Sequence, residues 1–329
     1  MNKFVSAAVA LSIVAVSSLS NAETKIGVIL PMTGDFARYG DTIREGLERV
    51  RTADVTYVYE DEGCHPKTAV SAFHKLRSVD NISLFLGPWC GSPQVAVSNL
   101  LQQNNSVAVL GSSAPEKVFK LSRGRMFSTQ TSIESESRFN AEEAYRLGAR
   151  KLVVVYFEND FSKAHDEAFR ASFKGEVIES VTYASADAAT VRSLATRIKR
   201  LKPDTLYVPD AFPFLHGLSK QLSSLGMGEL PIMSVYSAKS QDVANAVGNY
   251  KGRFLISYPR IEGEALHTYP QQAGEVLLKA VAKCKESTTP DCVKLALESD
   301  NPFNKVGVLR GELALKELRD GIFLWFSNR

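Results

Sequence analysis

The sequence has no run of three or more consecutive lysine or arginine residues, and its formal net charge is only +3 over 329 residues. Proteins that bind nucleic acid or an anionic membrane surface usually concentrate positive charge in one patch. The most basic stretch, RIKR at 197–200, is typical of the solvated face of a helix. The composition therefore predicts neither nucleic acid nor a membrane surface as a partner.

Motifs of the common catalytic sites are also missing. The sequence contains no G-x-S-x-G, no H-E-x-x-H and no G-x-x-x-x-G-K-[ST], so it offers no nucleophile elbow, zinc-protease helix or phosphate-binding loop. His74 and His165 fall in predicted helices, and we interpret both as surface or internally hydrogen-bonded side chains. We interpret Asp61 and Glu62 as a solvated acidic loop and not as a catalytic pair. The sequence therefore predicts neither an enzyme nor a cofactor site.

Long hydrophobic runs are absent except near the N-terminus, where residues 4–16 are mainly apolar. Lys3 precedes this run, and a small-x-small cleavage site, SNA at 20–22, follows it. The pattern is that of a secretory signal peptide, which we place at residues 1–22. A membrane anchor is the alternative, but the run is shorter than the roughly 20 residues that a spanning helix needs. No cysteine adjoins the cleavage site, so a lipid-anchored form is not expected.

Cysteine is scarce, with four residues in the chain. Export to an oxidising compartment favours disulfides. Cys64 with Cys90 would close a loop worth about 3–4 kcal/mol, and Cys284 with Cys292 a short loop worth about 2–3 kcal/mol. Four cysteines nevertheless allow three pairings. Metal binding is the alternative, but the sequence has no C-x-x-C and only His65 adjoins a cysteine, so no metal site is predicted.

Short apolar segments alternate with helical segments about every 25–30 residues along most of the chain. This repeat predicts a parallel sheet with helices on both faces, and it restarts near residue 135, which predicts two such units. The predicted strands are 25–30, 55–59, 82–86 and 107–110 in the first unit, 151–157, 177–183, 205–208 and 231–235 in the second, and 306–309 and 322–326 in the tail. Asp41 is predicted to cap the start of the first helix, and the third helix is predicted to begin at Pro93.

Ligands bind at the carboxyl ends of the strands in such sheets, and three predicted loops lie there: 32–40, 87–92 and 111–115. Two of these loops offer hydroxyl groups or main-chain N–H groups from small residues, namely Gly91, Ser92, Ser112 and Ser113. A ligand carboxylate suits such donors, because each charge-assisted hydrogen bond contributes roughly 1.5–3 kcal/mol. A purely structural tight turn at 111–115 is the alternative, and the loop residues alone leave both interpretations open.

Three segments in the N-terminal half have a distinctive order and spacing: IGVILPMTGDFARYGDTIREGLE, YEDEGCHPKTAVSAFHKL and GPWCGSPQVAVSNLLQQNNSVAVLGSSAP. Together they resemble the leucine/isoleucine/valine-binding proteins, the periplasmic receptors of branched-chain amino acid ABC transporters. The resemblance is strong between residues 25 and 115, moderate up to residue 235 and weaker beyond it.

The resemblance implies an α/β fold of the type I periplasmic binding class, with two lobes, each a parallel sheet with helices on both faces. Three crossovers between the lobes are expected near Thr129, Ile256 and Lys305. The expected ranges are 23–129 plus 257–305 for lobe 1, and 130–256 plus 306–329 for lobe 2.

The resemblance also implies a function. The protein would be a monomeric periplasmic receptor that captures a small ligand by hinge closure and delivers it to an ABC transporter permease. The family bridges a cysteine pair like Cys64 and Cys90, which favours that pairing here. A receptor of the same fold that feeds a sensor or regulator is the alternative, because fold does not fix function.

For lobe 1, the resemblance places the ligand carboxylate on Gly91, Ser112 and Ser113. Tyr39 would cover the ligand from the first loop, and we expect Trp89 to provide a second apolar wall. The hydroxyl-bearing residue that is usual in the family is replaced here by Gly91, which can offer only its main-chain N–H.

For lobe 2, the resemblance places an aromatic side chain at Phe212 and the residue that holds the ligand amine at Tyr236. The family has an acid at the latter position, and a tyrosine hydroxyl is a weaker partner for an ammonium group. We expect Ser92 to substitute for the missing hydroxyl of lobe 1 and Asp210 to substitute for the missing acid. If Asp210 does not, an aromatic or aliphatic carboxylate, an amide, or a protein partner of a degenerate receptor would fit better.

Overall fold

The computed structural model describes residues 23–210, 214–261, 263–299, 307–308 and 311–327. The predicted signal peptide at 1–22, the predicted crossover at Lys305 and the predicted site residue Phe212 lie outside the described residues. The described chain forms two α/β units, each built on its own sheet.

The sheet of the first unit has five strands. They are β1 Thr24–Leu30, β2 Val55–Asp61, β3 Leu84–Leu86, β4 Val107–Leu110 and β5 Met126–Ser128. Their order is β2-β1-β3-β4-β5, and every pairing is parallel. The apolar run of β1 is fully buried from Ile26 onward, as expected for a strand whose sheet is covered by helices on both faces.

The sheet of the second unit has seven strands. They are β6 Lys151–Phe157, β7 Glu176–Tyr183, β8 Thr205–Tyr207, β9 Ile232–Ser234, β10 Phe254–Pro259, β11 Leu313–Arg319 and β12 Ile322–Trp325. Their order is β12-β11-β10-β9-β8-β6-β7. The strands from β6 to β10 pair in parallel, whereas β11 and β12 are antiparallel to their neighbours.

Helices cover both sheets. They are α1 Ala37–Glu48, α2 Pro66–His74, α3 Gly91–Gln103, α4 Glu116–Leu121, α5 Ile133–Arg146, α6 Asp160–Ser172, α7 Ala188–Leu201, α8 Phe214–Ser224, α9 Gln241–Val247, α10 Ala265–Lys283 and α11 Pro290–Ser299. Residues of α10, such as Ala273 and Leu277, share a core with Ile26 of β1. The chain therefore passes to the second unit between β5 and α5 and returns to the first unit after β10. Every helix in the described part of the chain is too short or too polar to traverse a bilayer.

The predicted α/β class with two mainly parallel sheets is confirmed, but several elements were not predicted. Strands β5, β10 and β11 were not predicted: β5 has only three residues, and the apolar run of β11 is interrupted by Lys316 and Glu317. Two predicted helix starts were late, because α1 begins at Ala37 instead of Asp41 and α3 at Gly91 instead of Pro93. Of the predicted strand 306–309, the described Val308 forms one bridge with Ser128.

Candidate functional site

An aromatic pair lies on the first unit at the ends of its strands. Tyr39, in the first turn of α1, stacks on Trp89 with ring centroids 5.5 Å apart and an interplanar angle of 18°. Gly40 lets the start of α1 lie against the main chain of Pro31, because a Cβ at this position would lie 2.1 Å from the Pro31 carbonyl oxygen. The two predicted apolar walls are therefore adjacent, and Tyr39 is buried.

The loop that carries Trp89 is anchored by a buried acid and a disulfide. Cys64 is bonded to Cys90, with Cα atoms 5.3 Å apart, and Cys284 to Cys292, so both predicted pairs are present. Glu62 is fully buried, and its carboxylate accepts the main-chain N–H of Cys90 at 2.9 Å and of Trp89 at 3.2 Å. The prediction of a solvated acidic loop was therefore wrong for this residue.

Burial raises the pKa of Glu62 to about 8, although the two main-chain donors oppose the rise. Its carboxylate and the sulfurs of Cys64 and Cys90 lie within 4.8 Å of one another. Because both sulfurs are bonded in the disulfide, neither is a thiolate that could bind a metal ion. Glu62 and the disulfide instead hold the loop of Trp89 in place.

The two units touch at the N-terminus of α3. Gly91 is buried, and a Cβ placed there would lie 3.2 Å from both Cβ and the main-chain nitrogen of Phe161 on α6. Ser92 follows it and is half-buried. Ion pairs of the described residues also join the units, among them Arg38 with Asp242, and Lys117 with Asp160 at 3.5 Å. The two units are thus in contact around this helix end.

Ser112 and Ser113 have different environments although both are buried. The Ser112 hydroxyl accepts a hydrogen bond from Gln94 Nε2 at 2.9 Å and donates to the Trp89 carbonyl at 3.2 Å. The Ser113 hydroxyl makes no hydrogen bond of ordinary geometry within the described residues. Ser112 therefore holds the loop together, whereas the Ser113 hydroxyl lies against the Tyr236 hydroxyl.

Tyr236 brings the second unit to Ser113. It lies in a short 3-10 turn, Tyr236–Ala238, after β9, and its side chain is buried. Burial raises the pKa of the Tyr236 hydroxyl, and the polar groups of Ser113 and Gln130 beside it partly oppose the rise. The amide oxygen of Gln130 is buried and, like the Ser113 hydroxyl, has no hydrogen-bond partner among the described residues.

Asp210, the expected substitute for the amine-binding acid, is half-buried just beyond β8. Its main-chain carbonyl accepts a hydrogen bond from Ser234 Oγ at 2.9 Å. This bond fixes the backbone of the loop that leads to the predicted residue Phe212, which lies outside the described residues.

A buried polar cluster on the second unit was not predicted as part of the site. Glu136 on α5 and His165 on α6 are both fully buried, with Oε2 and Nε2 3.9 Å apart. Glu136 Oε1 accepts hydrogen bonds from Ser257 Oγ at 2.6 Å and from the Tyr236 main-chain N–H at 3.2 Å. His165 Nδ1 is 2.7 Å from the hydroxyl of Ser137.

Burial acts on both groups of this cluster. It raises the pKa of Glu136 to about 7 and lowers the pKa of His165 to about 3, because each neutral form is favoured away from water. The signal that sequence reasoning could have used is the buried stripe of α5, where Glu136 stands at helical spacing between Ile133 and Asn140. A carboxylate on such a stripe is uncommon unless it has a partner.

Comparisons with known proteins agree with the resemblance carried by the sequence. A family model described as periplasmic binding protein matches residues 23–262. The Leu/Ile/Val-binding protein BraC3 of Rhizobium johnstonii is 25% identical over 227 residues, which cover 64% of this chain and 61% of the relative. The Leu/Ile/Val-binding protein homolog 3 of Brucella melitensis is 25% identical over 230 residues, which cover 65% of this chain and 61% of the relative. The chain thus spans 61% of the length of these curated relatives.

Solved structures share the fold over nearly the whole chain. The leucine-binding protein LivK of Thermotoga maritima has a TM-score of 0.83 at 18% identity, covering 92% of this chain and 98% of its own. A solute-binding protein of an ABC transporter from R. palustris, in complex with benzoate, has a TM-score of 0.81 at 17% identity, with coverages of 92% and 94%. LivJ of Streptococcus pneumoniae, in complex with isoleucine, has a TM-score of 0.77 at 15% identity, with coverages of 91% and 97%.

Proposed function

The chain belongs to the periplasmic binding protein family, and on this premise we propose that it is an exported solute-binding protein. It captures a small carboxylate-bearing ligand, in our first hypothesis an amino acid of the branched-chain kind, between its two units. It then delivers the ligand, as a periplasmic monomer, to an ABC transporter permease. The relatives named Leu/Ile/Val-binding proteins and the isoleucine complex of LivJ support this class of ligand.

The observation that carries the proposal is the Ser113 hydroxyl. It is buried on the first unit, makes no hydrogen bond of ordinary geometry among the described residues, and lies beside the Tyr236 hydroxyl of the second unit. A ligand carboxylate that accepts a hydrogen bond from this hydroxyl gains a charge-assisted bond worth roughly 1.5–3 kcal/mol. The first turn of α3, at Gly91 and Ser92, offers main-chain N–H groups that suit an anion. A ligand carboxylate between Ser113 and this helix end satisfies both.

Closure follows from the contacts between the units. Arg38 with Asp242 and Lys117 with Asp160 form only when the units approach, and as exposed pairs each contributes little stability. The ligand therefore supplies most of the free energy that favours the closed form, which is the form that engages the permease.

A second ligand class has its own support. Tyr236 stands where the resemblance expects an acid, and the R. palustris neighbour was solved with benzoate. An aromatic carboxylate without an amine needs no anionic partner, and a phenol-bearing wall such as Tyr236 suits its ring. Dissociation constants for L-leucine, L-isoleucine, L-valine, benzoate and 4-hydroxybenzoate, measured by calorimetry on protein that was unfolded and refolded to remove bound ligand, test both classes. Binding of none of the five would contradict the proposal.

Changing Ser113 to alanine should weaken carboxylate binding by about 10-fold, because one charge-assisted hydrogen bond is lost. The melting temperature of the ligand-free protein should change little, since the hydroxyl makes no hydrogen bond of ordinary geometry among the described residues. Ser112→Ala is the matched comparison: it loses the bonds to Gln94 and Trp89, so it should lower the melting temperature. Calorimetry and thermal melts of both variants measure this contrast. Equal effects of the two changes on binding would argue against Ser113 as a direct ligand contact.

A further inference from the structure

We propose that Gln94 is a positioning residue of the candidate site. Its side-chain amide fixes the two candidate binding loops of the first unit, 87–92 and 111–115, to each other. The expected effect on ligand affinity rests on the proposed solute-binding function. The expected effect on the position of Trp89 is measured without any ligand, so the two can fail separately.

Gln94 is a long polar side chain in the interior of the first unit. It is the fourth residue of α3 and is fully buried, and glutamine is rarely buried unless its amide is hydrogen-bonded. Its main-chain N–H donates to the Cys90 carbonyl at 2.9 Å, in the first turn of the helix. The side chain therefore starts from a fixed point of the backbone, next to the loop that carries Trp89.

The Nε2 atom of Gln94 faces oxygen acceptors of both loops. It lies 3.0 Å from the Trp89 carbonyl oxygen and 2.9 Å from Ser112 Oγ, which are ordinary hydrogen-bond lengths. The carbonyl oxygens of Pro88 and Ser113 are farther away, at 3.4 Å and 3.5 Å. Because a side-chain amide has two N–H donors, one hydrogen bond goes to each loop, and a single nitrogen atom joins them.

The two loops depend on side chains for this connection. They follow β3 and β4, which pair in parallel, and the Gly87 N–H still donates to the Val109 carbonyl at 3.1 Å. Beyond that point, the hydrogen bonds that join the loops among the described residues come from Gln94 and from the Ser112 hydroxyl, which donates to the Trp89 carbonyl at 3.2 Å. Buried main-chain carbonyls need such donors. Loss of the amide would leave the Ser112 hydroxyl to hold both loops.

Both loops carry groups that the proposed ligand contacts. Trp89 stacks on Tyr39 as an apolar wall, and Ser113 carries the hydroxyl proposed to bind the ligand carboxylate. A site binds more tightly when its groups are held in the bound arrangement before the ligand arrives, because the ligand then does not lose affinity in ordering them. Gln94 thus contributes to affinity through Trp89 and Ser113, without touching the ligand itself.

The first test replaces Gln94 by methionine, which has a similar length but no N–H donor. Calorimetry on refolded protein measures the affinities for L-leucine, L-isoleucine, L-valine, benzoate and 4-hydroxybenzoate. The affinity of each acid that binds to wild type should fall by about 10-fold in Gln94→Met, which corresponds to the net contribution of about one hydrogen bond.

The second measurement reports the position of Trp89 directly. The chain has two tryptophans, so Trp325→Phe leaves Trp89 as the only one. In this background and without ligand, Gln94→Met should increase the quenching of Trp89 fluorescence by acrylamide, because the released loop exposes the indole ring to solvent.

Two control variants on α3 separate positioning from a general loss of stability. Gln102 is exposed on the same helix, so Gln102→Met should leave affinity, quenching and melting temperature unchanged. Val97 is buried among residues such as Phe85 and Leu110, whereas Trp89 packs against a different core cluster. Val97→Ala should therefore lower the melting temperature by leaving a cavity, and it should leave the affinity and the Trp89 quenching unchanged.

A second variant, Gln94→Glu, keeps the size of the side chain and adds a pH readout. The protonated carboxyl has one O–H donor, whereas the ionised form has none and faces the loop oxygens. The ratio of wild-type to Gln94→Glu affinity should therefore grow as the pH rises from about 5 to about 8, since burial raises the pKa of such a carboxyl. Glu62, which holds the same loop, titrates in both proteins, so the ratio isolates position 94. The same ratio for Gln94→Met should be flat.

Each contrary outcome has a definite meaning. Unchanged affinity or unchanged Trp89 quenching in Gln94→Met overturns the positioning role, and so does an equal loss of affinity in Val97→Ala. If Gln94→Met does not fold, a pH-independent ratio for Gln94→Glu overturns it. If wild type binds none of the five acids, the proposed function fails, and the quenching of Trp89 still decides whether Gln94 positions the loop.

Discussion

Replacing Gly91 by leucine is expected to lower ligand affinity by about 100-fold, because the side chain occupies the space that the second unit takes on closure. A single Cβ at this position already lies 3.2 Å from Phe161, and leucine adds three further carbons. The helix itself should tolerate the change, since Gly91 begins α3 and leucine has the higher helix propensity. The variant should thus fold normally and stay open.

Two measurements on Gly91→Leu and two further variants distinguish blocked closure from simple misfolding. The thermal melt of ligand-free Gly91→Leu should match that of wild type. In small-angle scattering with ligand present, the variant should have a larger radius of gyration than wild type. Gly91→Ala should have an intermediate effect, since one carbon needs only a small shift of Phe161. Adding Phe161→Ala to Gly91→Leu should restore part of the lost affinity, because it vacates space at the contact. If Gly91→Leu binds and closes like wild type, the units do not meet at α3 in the bound form.

Removal of the Cys64–Cys90 disulfide should give the largest loss of stability. The bond closes a loop with a sequence separation of 26, and chain entropy assigns about 3–4 kcal/mol to such a loop. The double change Cys64→Ala and Cys90→Ala should therefore lower the melting temperature by roughly 10 °C. Ligand affinity should fall as well, because Cys90 immediately precedes Gly91 and follows Trp89 in the binding loop.

The other disulfide provides the matched control. Cys284 and Cys292 are separated by 8 residues between α10 and α11, so their removal should cost about 2–3 kcal/mol. They lie away from Trp89 and Gly91 in the sequence, and their loss should change stability without changing affinity. Denaturant unfolding and calorimetry on both double variants measure the two effects. A larger stability loss at Cys284–Cys292 than at Cys64–Cys90 would contradict this ranking.

The sequence was most informative where burial is complete. Strands such as Val107–Leu110 and Lys151–Phe157 were predicted with the observed bounds, because buried parallel strands are short continuous apolar runs. The order and spacing of the three N-terminal segments also indicated the protein family. Short elements were not predicted from the sequence. Met126–Ser128, for example, is a strand only because it pairs with β4.

The candidate site was harder to predict, because its properties depend on contacts between distant parts of the chain. Glu62 is buried and holds the loop of Trp89 and Cys90, since the main-chain N–H groups of these two residues, 27 and 28 positions away in the sequence, donate hydrogen bonds to its carboxylate. Ser112 and Ser113 are neighbours with different environments, which the positions of Gln94 and Trp89 decide. Glu136 and His165 lie in separate helices, and no local pattern predicts that their side chains meet in the interior.

The most direct test of ligand capture by closure is a thermal-melt screen of the refolded, ligand-free protein against amino acids, aromatic and aliphatic carboxylates, and amides. A ligand at about 100 times its dissociation constant should stabilise the protein by about 2.7 kcal/mol, a shift of several degrees. We expect such a shift for at least one small carboxylate in wild type and a greatly reduced shift in Gly91→Leu. No shift with any compound, or an equal shift in both proteins, would contradict it.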